Sequence, residues 1–157
     1  MMDLIVNTAK TVAVTGHRVI YPDFDREKVE KLFNDLILKG FDTFLVGMAL
    51  GFDTECFHIL EKIRKEKQIK IIACIPCKTQ SQKFTFKQKE EYDRMLSVAD
   101  EKVFVSEEYS KSCMQKRNQF MVDRASVVVA YIKRDFGGTA NTVKYATKNQ
   151  VPIIEIN

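Results

Sequence analysis

The stretch Ser126-Val127-Val128-Val129-Ala130-Tyr131 is followed by IKRDFGGTANTVKYATKN, residues 132–149. Its first six residues are almost continuously apolar and rich in valine, which is typical of a central parallel strand buried on both faces. A glycine-bearing loop, residues 134–139, then leads into a helix that we expect to end near Asn149. A buried strand, a loop and a helix in direct succession indicate an α/β fold with a parallel sheet.

The same unit recurs along the chain. Between residues 29 and 37 the apolar side chains have helical spacing, with Asp25 as the predicted N-cap and Gly40 as the predicted stop. The strands are predicted at 11–15, 43–46, 69–75, 102–105, 126–131 and 151–156, and the later helices at about 53–63, 84–99, 113–125 and 139–149. This alternation predicts a Rossmann-like three-layer α/β/α sandwich with a mainly parallel sheet, and a single domain over residues 1–157.

Composition narrows the class of protein. Of the 157 residues, 45% are hydrophobic and 29% are charged, which is usual for a soluble globular domain, and no apolar run is long enough to span a membrane. The N-terminus does not resemble a secretory signal, so we expect a cytoplasmic location. The formal net charge of +4 favours anionic ligands. Acidic residues interrupt the lysines, as in EKIRKEKQIK (61–70), so this segment indicates a solvated helix end rather than a nucleic-acid surface.

The chain has four cysteines, at positions 56, 74, 77 and 113. Cys74 and Cys77 form a C-x-x-C motif, but the motif closes a strand and leads into a polar loop, whereas a redox pair normally opens a helix. The other cysteines and the two histidines are too scattered to complete a zinc site. We therefore predict reduced structural thiols and no metal.

Glycines follow three of the predicted strands. Thr15-Gly16-His17-Arg18 follows the first strand, Gly47 to Asp53 the second, and Gly137-Gly138-Thr139 the fifth. Ligands of open parallel sheets bind beyond the carboxyl ends of the strands, where glycine lets the backbone approach a phosphate and helix N-termini present free N–H groups. Gly137-Gly138-Thr139 is the predicted phosphate cradle, with the Thr139 hydroxyl as a further donor. The alternative is a simple turn.

The other two loops carry weaker signals. Gly47 and Gly51 match neither the dinucleotide fingerprint nor a P-loop. Asp53 is either a helix N-cap or an acceptor for a ribose hydroxyl. Arg18 is predicted to bind an anion, and His17 to be a hydrogen-bonding loop residue rather than a catalytic base.

Arg117 and Asn118 lie near the start of the helix that begins around Cys113. Asn118 shares an apolar helix face, and polar groups on such a face are costly unless they have partners. They are predicted to meet a ligand or the neighbouring loops. The alternative for Arg117 is an internal ion pair with Asp53 or Asp123.

Four motifs together resemble the SLOG superfamily of Smf/DprA and LOG-like proteins, and its YpsA-like branch most closely. They are TGHR (15–18), GMALGFD (47–53), QKRNQFMVDRA (115–125) and GGTANTVKYA (137–146), and the resemblance covers nearly the whole chain. It implies a Rossmann-like fold that binds a nucleotide or a nucleotide-derived ligand, such as an ADP-ribose-like compound, at the strand ends. In that family the DprA branch binds single-stranded DNA and the LOG branch hydrolyses nucleoside monophosphates to base and ribose phosphate. A homodimer is also plausible from the resemblance.

The sequence departs from LOG-like enzymes after the glycine loop. Those enzymes carry a glutamate there, whereas this chain has Asn141 and Thr142. Without a carboxylate, cleavage of an N-glycosidic bond lacks its expected nucleophile or charge stabiliser. Asp53 and Asp123 are the remaining candidates for a catalytic role, and a non-catalytic role is favoured.

These observations leave three hypotheses about function. The first is binding or sensing of a nucleotide-type ligand, and the alternative is a nucleotide hydrolase or phosphoribohydrolase. A single-stranded nucleic-acid binder is the third, disfavoured because no dominant basic face is evident. Phe84 and Phe86 lie among lysines and could stack bases, but we expect them to pack in the core or in a lid.

Overall fold

A computed structural model describes residues 4–156, and residues 1–3 and 157 lie outside that range. A short 3-10 turn, Thr8–Lys10, precedes the first strand. Strands and helices then alternate: β1 Thr11–Gly16, α1 Arg26–Leu38, β2 Thr43–Val46, α2 Phe52–Arg64, β3 Lys70–Ile75, α3 Phe86–Val98, β4 Glu101–Phe104, α4 Cys113–Asp123, β5 Val127–Tyr131, α5 Gly138–Lys148 and β6 Ile153–Ile156. None of the helices within this range is long and apolar enough to cross a membrane.

The six strands form one sheet in the order β4-β3-β2-β1-β5-β6, and every neighbouring pair is parallel. From β1 the chain moves outward through β2, β3 and β4, then returns to place β5 on the other side of β1. The reversal of strand order therefore lies between β1 and β5. The predicted Rossmann-like α/β fold is confirmed, with a sheet that is parallel throughout.

The sheet lies between two helical layers. In β1, Val12 and Val14 face the core that contains α1, α2 and α3, whereas Ala13 faces the core that contains α4 and α5. In β5, Val129 faces the core that contains α1, α2 and α3, and Val128 faces the core that contains α4 and α5. The valine-rich strand is therefore buried on both faces, as the sequence predicts.

Local signals place the ends of α1 and α3. Asp25 caps α1 by accepting a hydrogen bond from the Lys28 N–H, and Gly40 follows the helix with a φ of 105°. Both predictions for this helix are confirmed. Helix α3 begins at residue 86 because Thr85 and Gln88 form a reciprocal capping box.

The two phenylalanines near the start of α3 have different environments. Phe84 packs against the Tyr92 ring, with their centroids 5.5 Å apart, and is partly buried against the core. Phe86 is 83% exposed, so the expectation that it packs in the core or in a lid is wrong. The capping box fixes the first residue of α3, and that register leaves Phe86 in solvent.

All four cysteines are buried and free. Burial raises the pKa of the Cys74 thiol to about 12. Among the described residues no group of three or more His, Cys, Asp or Glu side chains has the geometry of a metal site. Cys77 Sγ lies 3.9 Å from Cys113 Sγ, a contact with a cysteine outside the C-x-x-C motif.

Candidate functional site

A cavity of about 360 Å³ opens beyond the carboxyl ends of the strands. It lies where β1 leads into α1 on one face of the sheet and β5 leads into α5 on the other, which is the expected position for a ligand site in this architecture. Nine of the twelve predicted binding residues line it. They are Thr15, Gly16, His17, Arg18, Asp53, Arg117, Asn118, Gly138 and Thr139.

Gly47, Gly51 and Gly137 do not line the cavity. A side chain at Gly47 would lie 2.8 Å from the Arg117 guanidinium carbon, and one at Gly51 would lie 2.6 Å from Arg18 Cα. Gly51 also has a φ of 82°, a conformation that favours glycine. These two glycines let the loops pack closely on each other.

Asp53 is the second residue of α2 and is 6% exposed. The N-cap of this helix is Gly51, so the N-cap alternative for Asp53 is wrong. Asp53 Oδ2 accepts a hydrogen bond from the Ala49 N–H at 3.1 Å, while Oδ1 is buried without a hydrogen-bond partner in the described part of the chain. Burial raises the pKa of this carboxyl to about 6, and the nearby Arg117 guanidinium opposes that rise.

Arg117 reaches into the sheet edge from α4 and is 4% exposed. Its Nη1 donates to the Gly47 carbonyl and, at 3.3 Å, to the Cys74 carbonyl, while its Nε donates to Asn118 Oδ1 at 2.7 Å. Burial lowers the pKa of the guanidinium, and the Asp53 carboxyl opposes that shift. The backbone carbonyls hold Arg117, and no ion pair joins it to Asp53 within residues 4–156.

Asp123 is remote from these groups. It is the last residue of α4, and its carboxylate accepts a hydrogen bond from the Tyr145 hydroxyl at 2.7 Å. It does not line the cavity. The alternative that pairs Asp123 with Arg117 is wrong, because the Asp123 carboxylate bonds to Tyr145 instead. Its catalytic role stays a prediction, which its position outside the cavity does not favour.

His17 is 4% exposed, and its Nε2 accepts a hydrogen bond from the Lys133 N–H at 2.8 Å. Burial lowers its pKa, and Arg134 and Lys133 lower it further, so the ring is neutral with its proton on Nδ1. The lone pair that a base would use is occupied by this bond, and the bond joins the loops that follow β1 and β5.

The first turn of α5 forms another wall. Gly137 occupies the N-cap position with a φ of 95°, and no described side chain caps the helix. A Cβ built on Gly138 would have no heavy atom within 4 Å, so this face of the backbone is open to the cavity. The hydroxyl-bearing Thr139 lies beside it and also lines the cavity.

The sequence analysis did not single out five lining residues: Val14, Val19, Ala49, Met114 and Arg134. Arg134 had a usable signal, since it is a basic residue between β5 and the glycine turn. Met114 had none, because the packing of α4 determines where its side chain lies. Arg18 donates to Met114 Sδ at 2.9 Å, which links the first loop to α4.

Positive charge exceeds negative charge in the lining of the cavity. Among the residues that the structure describes, three arginines line it, Arg18, Arg117 and Arg134, against the one carboxylate of Asp53. A guanidinium keeps its charge in proteins, whereas Asp53 is partly protonated near pH 6. The open α5 N-terminus adds partial positive charge on the same side. The cavity therefore suits an anion that also carries a hydrogen-bond donor for Asp53.

Comparison with known proteins gives one family. Residues 23–156 match the YpsA model, the YspA SLOG family. The uncharacterized SPbeta prophage-derived protein YoqJ of Bacillus subtilis (strain 168) is 37% identical, over 78% of this chain and 80% of that protein.

Two solved structures share the fold. DNA processing protein A (DprA) of Streptococcus pneumoniae superposes with a TM-score of 0.72 at 19% identity, over 95% of this chain and 50% of that one. DprA of Helicobacter pylori superposes with a TM-score of 0.69 at 20% identity, over 96% of this chain and 66% of that one. This chain thus spans half the length of the pneumococcal protein and less than two thirds of the other.

Proposed function

The chain belongs to the YspA SLOG family, and on that premise we propose that its cavity binds a nucleotide or a nucleotide-derived ligand through a phosphate group. The observation that carries this proposal is the open backbone at Gly138. It begins an uncapped helix and faces a cavity lined by three arginines.

The phosphate end of the ligand is assigned to α5. Unpaired N–H groups at a helix N-terminus donate to phosphate oxygens, and glycine allows the phosphate to approach the backbone. Arg18 and Arg134 line the same cavity and supply solvent-exposed cationic groups. Arg117 is held by backbone carbonyls, so it contributes a fixed charge rather than a flexible clamp.

The sugar end is assigned to Asp53. Within residues 4–156 its Oδ1 is buried without a hydrogen-bond partner, which costs about 1–3 kcal/mol of free energy until a donor binds. A ribose hydroxyl supplies such a donor. A ligand with both a phosphate and free hydroxyls therefore satisfies the two features of the cavity that the protein leaves unsatisfied.

Isothermal titration calorimetry with AMP, ADP-ribose, adenosine and inorganic phosphate tests the proposal. We expect the phosphate-bearing nucleosides to bind more tightly than adenosine, and a ligand at one hundred times its Kd to stabilise the fold by about 2.7 kcal/mol. If none of the four probes binds or stabilises the protein, the proposal is wrong.

The variant Gly138→Val tests the position of the phosphate. Its side chain would enter open space, so the fold is retained while the cradle is filled. We expect AMP to bind about ten- to a hundredfold more weakly, corresponding to one or two lost charge-assisted hydrogen bonds. Asn141→Val is the matched control, because Asn141 is exposed on the same helix and does not line the cavity. Equal losses in both variants would contradict the assignment.

Hydrolysis of a nucleoside phosphate is a second candidate, favoured by Asp53 alone. A carboxyl with a pKa raised to about 6 and one oxygen free of partners can act as a general acid or as a nucleophile. Incubation with nucleoside monophosphates and chromatography of the released base tests this candidate. Turnover that disappears in Asp53→Asn would favour an enzyme, and binding without turnover would favour a sensing domain.

Single-stranded DNA is the ligand named for the Helicobacter pylori structure, so we also test it as a ligand of this chain. The expectation against nucleic acid rests on the mixed surface charges of this chain. Binding of an oligonucleotide that contacts many phosphates weakens steeply with salt, whereas binding of a mononucleotide changes much less. Titrations of a dT oligomer and of AMP at 50 and 200 mM salt therefore distinguish the two ligands.

A further inference from the structure

Two thiols from distant parts of the chain lie together beneath the cavity wall. Cys77 follows β3 and Cys113 is the first residue of α4, and their Sγ atoms are 3.9 Å apart. We propose that Cys77 and Cys113 form a reversible disulfide on exposure to a peroxide, and that this bond acts as a redox gate on the cavity. The fold brings Cys77 and Cys113 together, whereas the C-x-x-C motif places Cys77 next to Cys74 in the sequence.

The other two cysteines provide a contrast. Burial raises the pKa of Cys74 to about 12 and that of Cys56 well above its ordinary value, which disfavours the thiolate that reacts with peroxide at both. Thr79 Oγ1 lies 3.5 Å from Cys77 Sγ, within hydrogen-bond reach for sulfur. Selective oxidation is therefore expected at the Cys77–Cys113 pair.

The start of α4 can open enough to admit an oxidant. No side chain in the described range 4–156 caps the helix, and the residues at 107–109 just before it are exposed. Ser110, whose backbone carbonyl accepts from the Cys113 N–H, has a buried hydroxyl without a partner in the described residues. Helix ends with few stabilising bonds open locally at a small cost in free energy. Cys113 lies at such an end.

The chemistry balances with hydrogen peroxide as the oxidant. One thiolate attacks the peroxide, forming an S–O bond to give a sulfenic acid and releasing one water after protonation. The second thiol then displaces the hydroxyl of the sulfenic acid, forming the S–S bond and a second water. Overall two thiols are oxidised by two electrons and one peroxide is reduced. A dithiol reductant reverses the reaction through thiol–disulfide exchange.

Disulfide formation would move the wall of the cavity. The sulfurs must close from 3.9 Å to about 2.05 Å, which draws the first turn of α4 towards the end of β3. That turn carries Met114, and the next carries Arg117 and Asn118, all of which line the cavity. Arg117 is fixed to the carbonyls of Gly47 and Cys74, so a movement of α4 strains these bonds. This coupling rests on the proposed function of the cavity.

The covalent part is tested on the full chain without any ligand. Reduced protein is treated with hydrogen peroxide, blocked with an alkylating reagent and digested, and the peptides are identified by mass spectrometry. We expect one cross-linked peptide pair containing Cys77 and Cys113, removed by dithiothreitol and lost in both Cys77→Ser and Cys113→Ser. Cys74→Ser is the matched control and should keep the cross-link. Sulfinic acids without a cross-link, or a cross-link to Cys74, would overturn the proposal.

The gating part is tested by the affinity for AMP before and after oxidation. We expect the Kd of the oxidised protein to rise about tenfold, since shifts near 1 Å in a positioned group are costly, and to recover on reduction. Cys113→Ser should bind AMP normally with or without peroxide. A cross-link that leaves the Kd unchanged would refute the gate. If AMP does not bind the reduced protein at all, the proposed function fails while the cross-link result still stands.

Discussion

The substitution Asp53→Asn tests whether the cavity keeps a buried charge at the expense of stability. Burial raises the pKa of this carboxyl from 3.8 to about 6. Because the folded-state pKa exceeds the unfolded value, the contribution of this carboxyl to stability is complete below about pH 3.8. It is lost as the pH rises through about 6. A shift of about two pKa units corresponds to about 3 kcal/mol at pH 7 and above.

Asparagine removes the charge and keeps the shape. Its amide oxygen can accept from the Ala49 N–H, as Asp53 Oδ2 does at 3.1 Å, and its amide nitrogen replaces the unpartnered Oδ1. We expect the variant to be more stable than the natural chain by about 3 kcal/mol at pH 8 and by about 1.5 kcal/mol at pH 5. At pH 8 this corresponds to a rise in Tm of about 6–12 °C for a chain of this length.

Urea unfolding followed by far-UV circular dichroism at pH 5, 6, 7 and 8 measures the effect, and the chain has no tryptophan to serve as a fluorescence probe. Asp123→Asn is the control, since that exposed side chain should change stability by less than about 1 kcal/mol at every pH. An Asp53→Asn variant that is less stable at pH 8, or a gain that does not increase between pH 5 and pH 8, would refute the reasoning. A stabilised variant that binds AMP more weakly would show that stability is sacrificed for binding.

Three further changes test one packing contact, one helix cap and one surface ion pair. Gly16→Ala should destabilise the fold by about 1–3 kcal/mol in urea unfolding, because its Cβ would lie 2.5 Å from the Phe52 ring; an unchanged midpoint would contradict this packing. Asp25→Ala removes the α1 N-cap and should cost about 1 kcal/mol, whereas Asp25→Asn should recover most of it. The Arg94 guanidinium holds the pKa of Glu91 at about 2, so this exposed pair should contribute less than about 1 kcal/mol, lost as the pH falls from about 4.5 through 2. Glu91→Gln should already lack this contribution to stability at pH 7, which acid titration of the variant would show.

Much of the fold follows from local pattern. The valine-rich run at 126–131 and the helical spacing at 29–37 depend only on which faces are apolar, so burial by two layers of helices can be inferred without knowing partners. The position of the cavity follows from one topological rule, since parallel strands place their carboxyl ends at a common edge. The sequence therefore predicts which loops meet, and nine of twelve chosen residues line the cavity.

Partners of individual side chains do not follow from local pattern. Arg117 could be assigned to a ligand, to the neighbouring loops or to an aspartate. The structure gives it hydrogen bonds to the Gly47 carbonyl in one of those loops, to the Cys74 carbonyl and to Asn118 Oδ1. A backbone carbonyl is present at every position, so residue type carries no signal for it. The contact of Cys77 with Cys113 joins residues that are 36 positions apart and depends on how α4 docks.

The glycines show most clearly what three dimensions add. A glycine after a strand can admit a ligand, or it can admit another part of the same chain, and the two uses look identical in a sequence. At Gly51 the missing side chain makes room for the Arg18 backbone, whereas at Gly138 it opens onto the cavity. Alanine at the first position must therefore destabilise the fold, and a side chain at the second must weaken binding while leaving the fold intact. This difference separates a glycine that lets two loops pack from one whose open backbone faces the cavity.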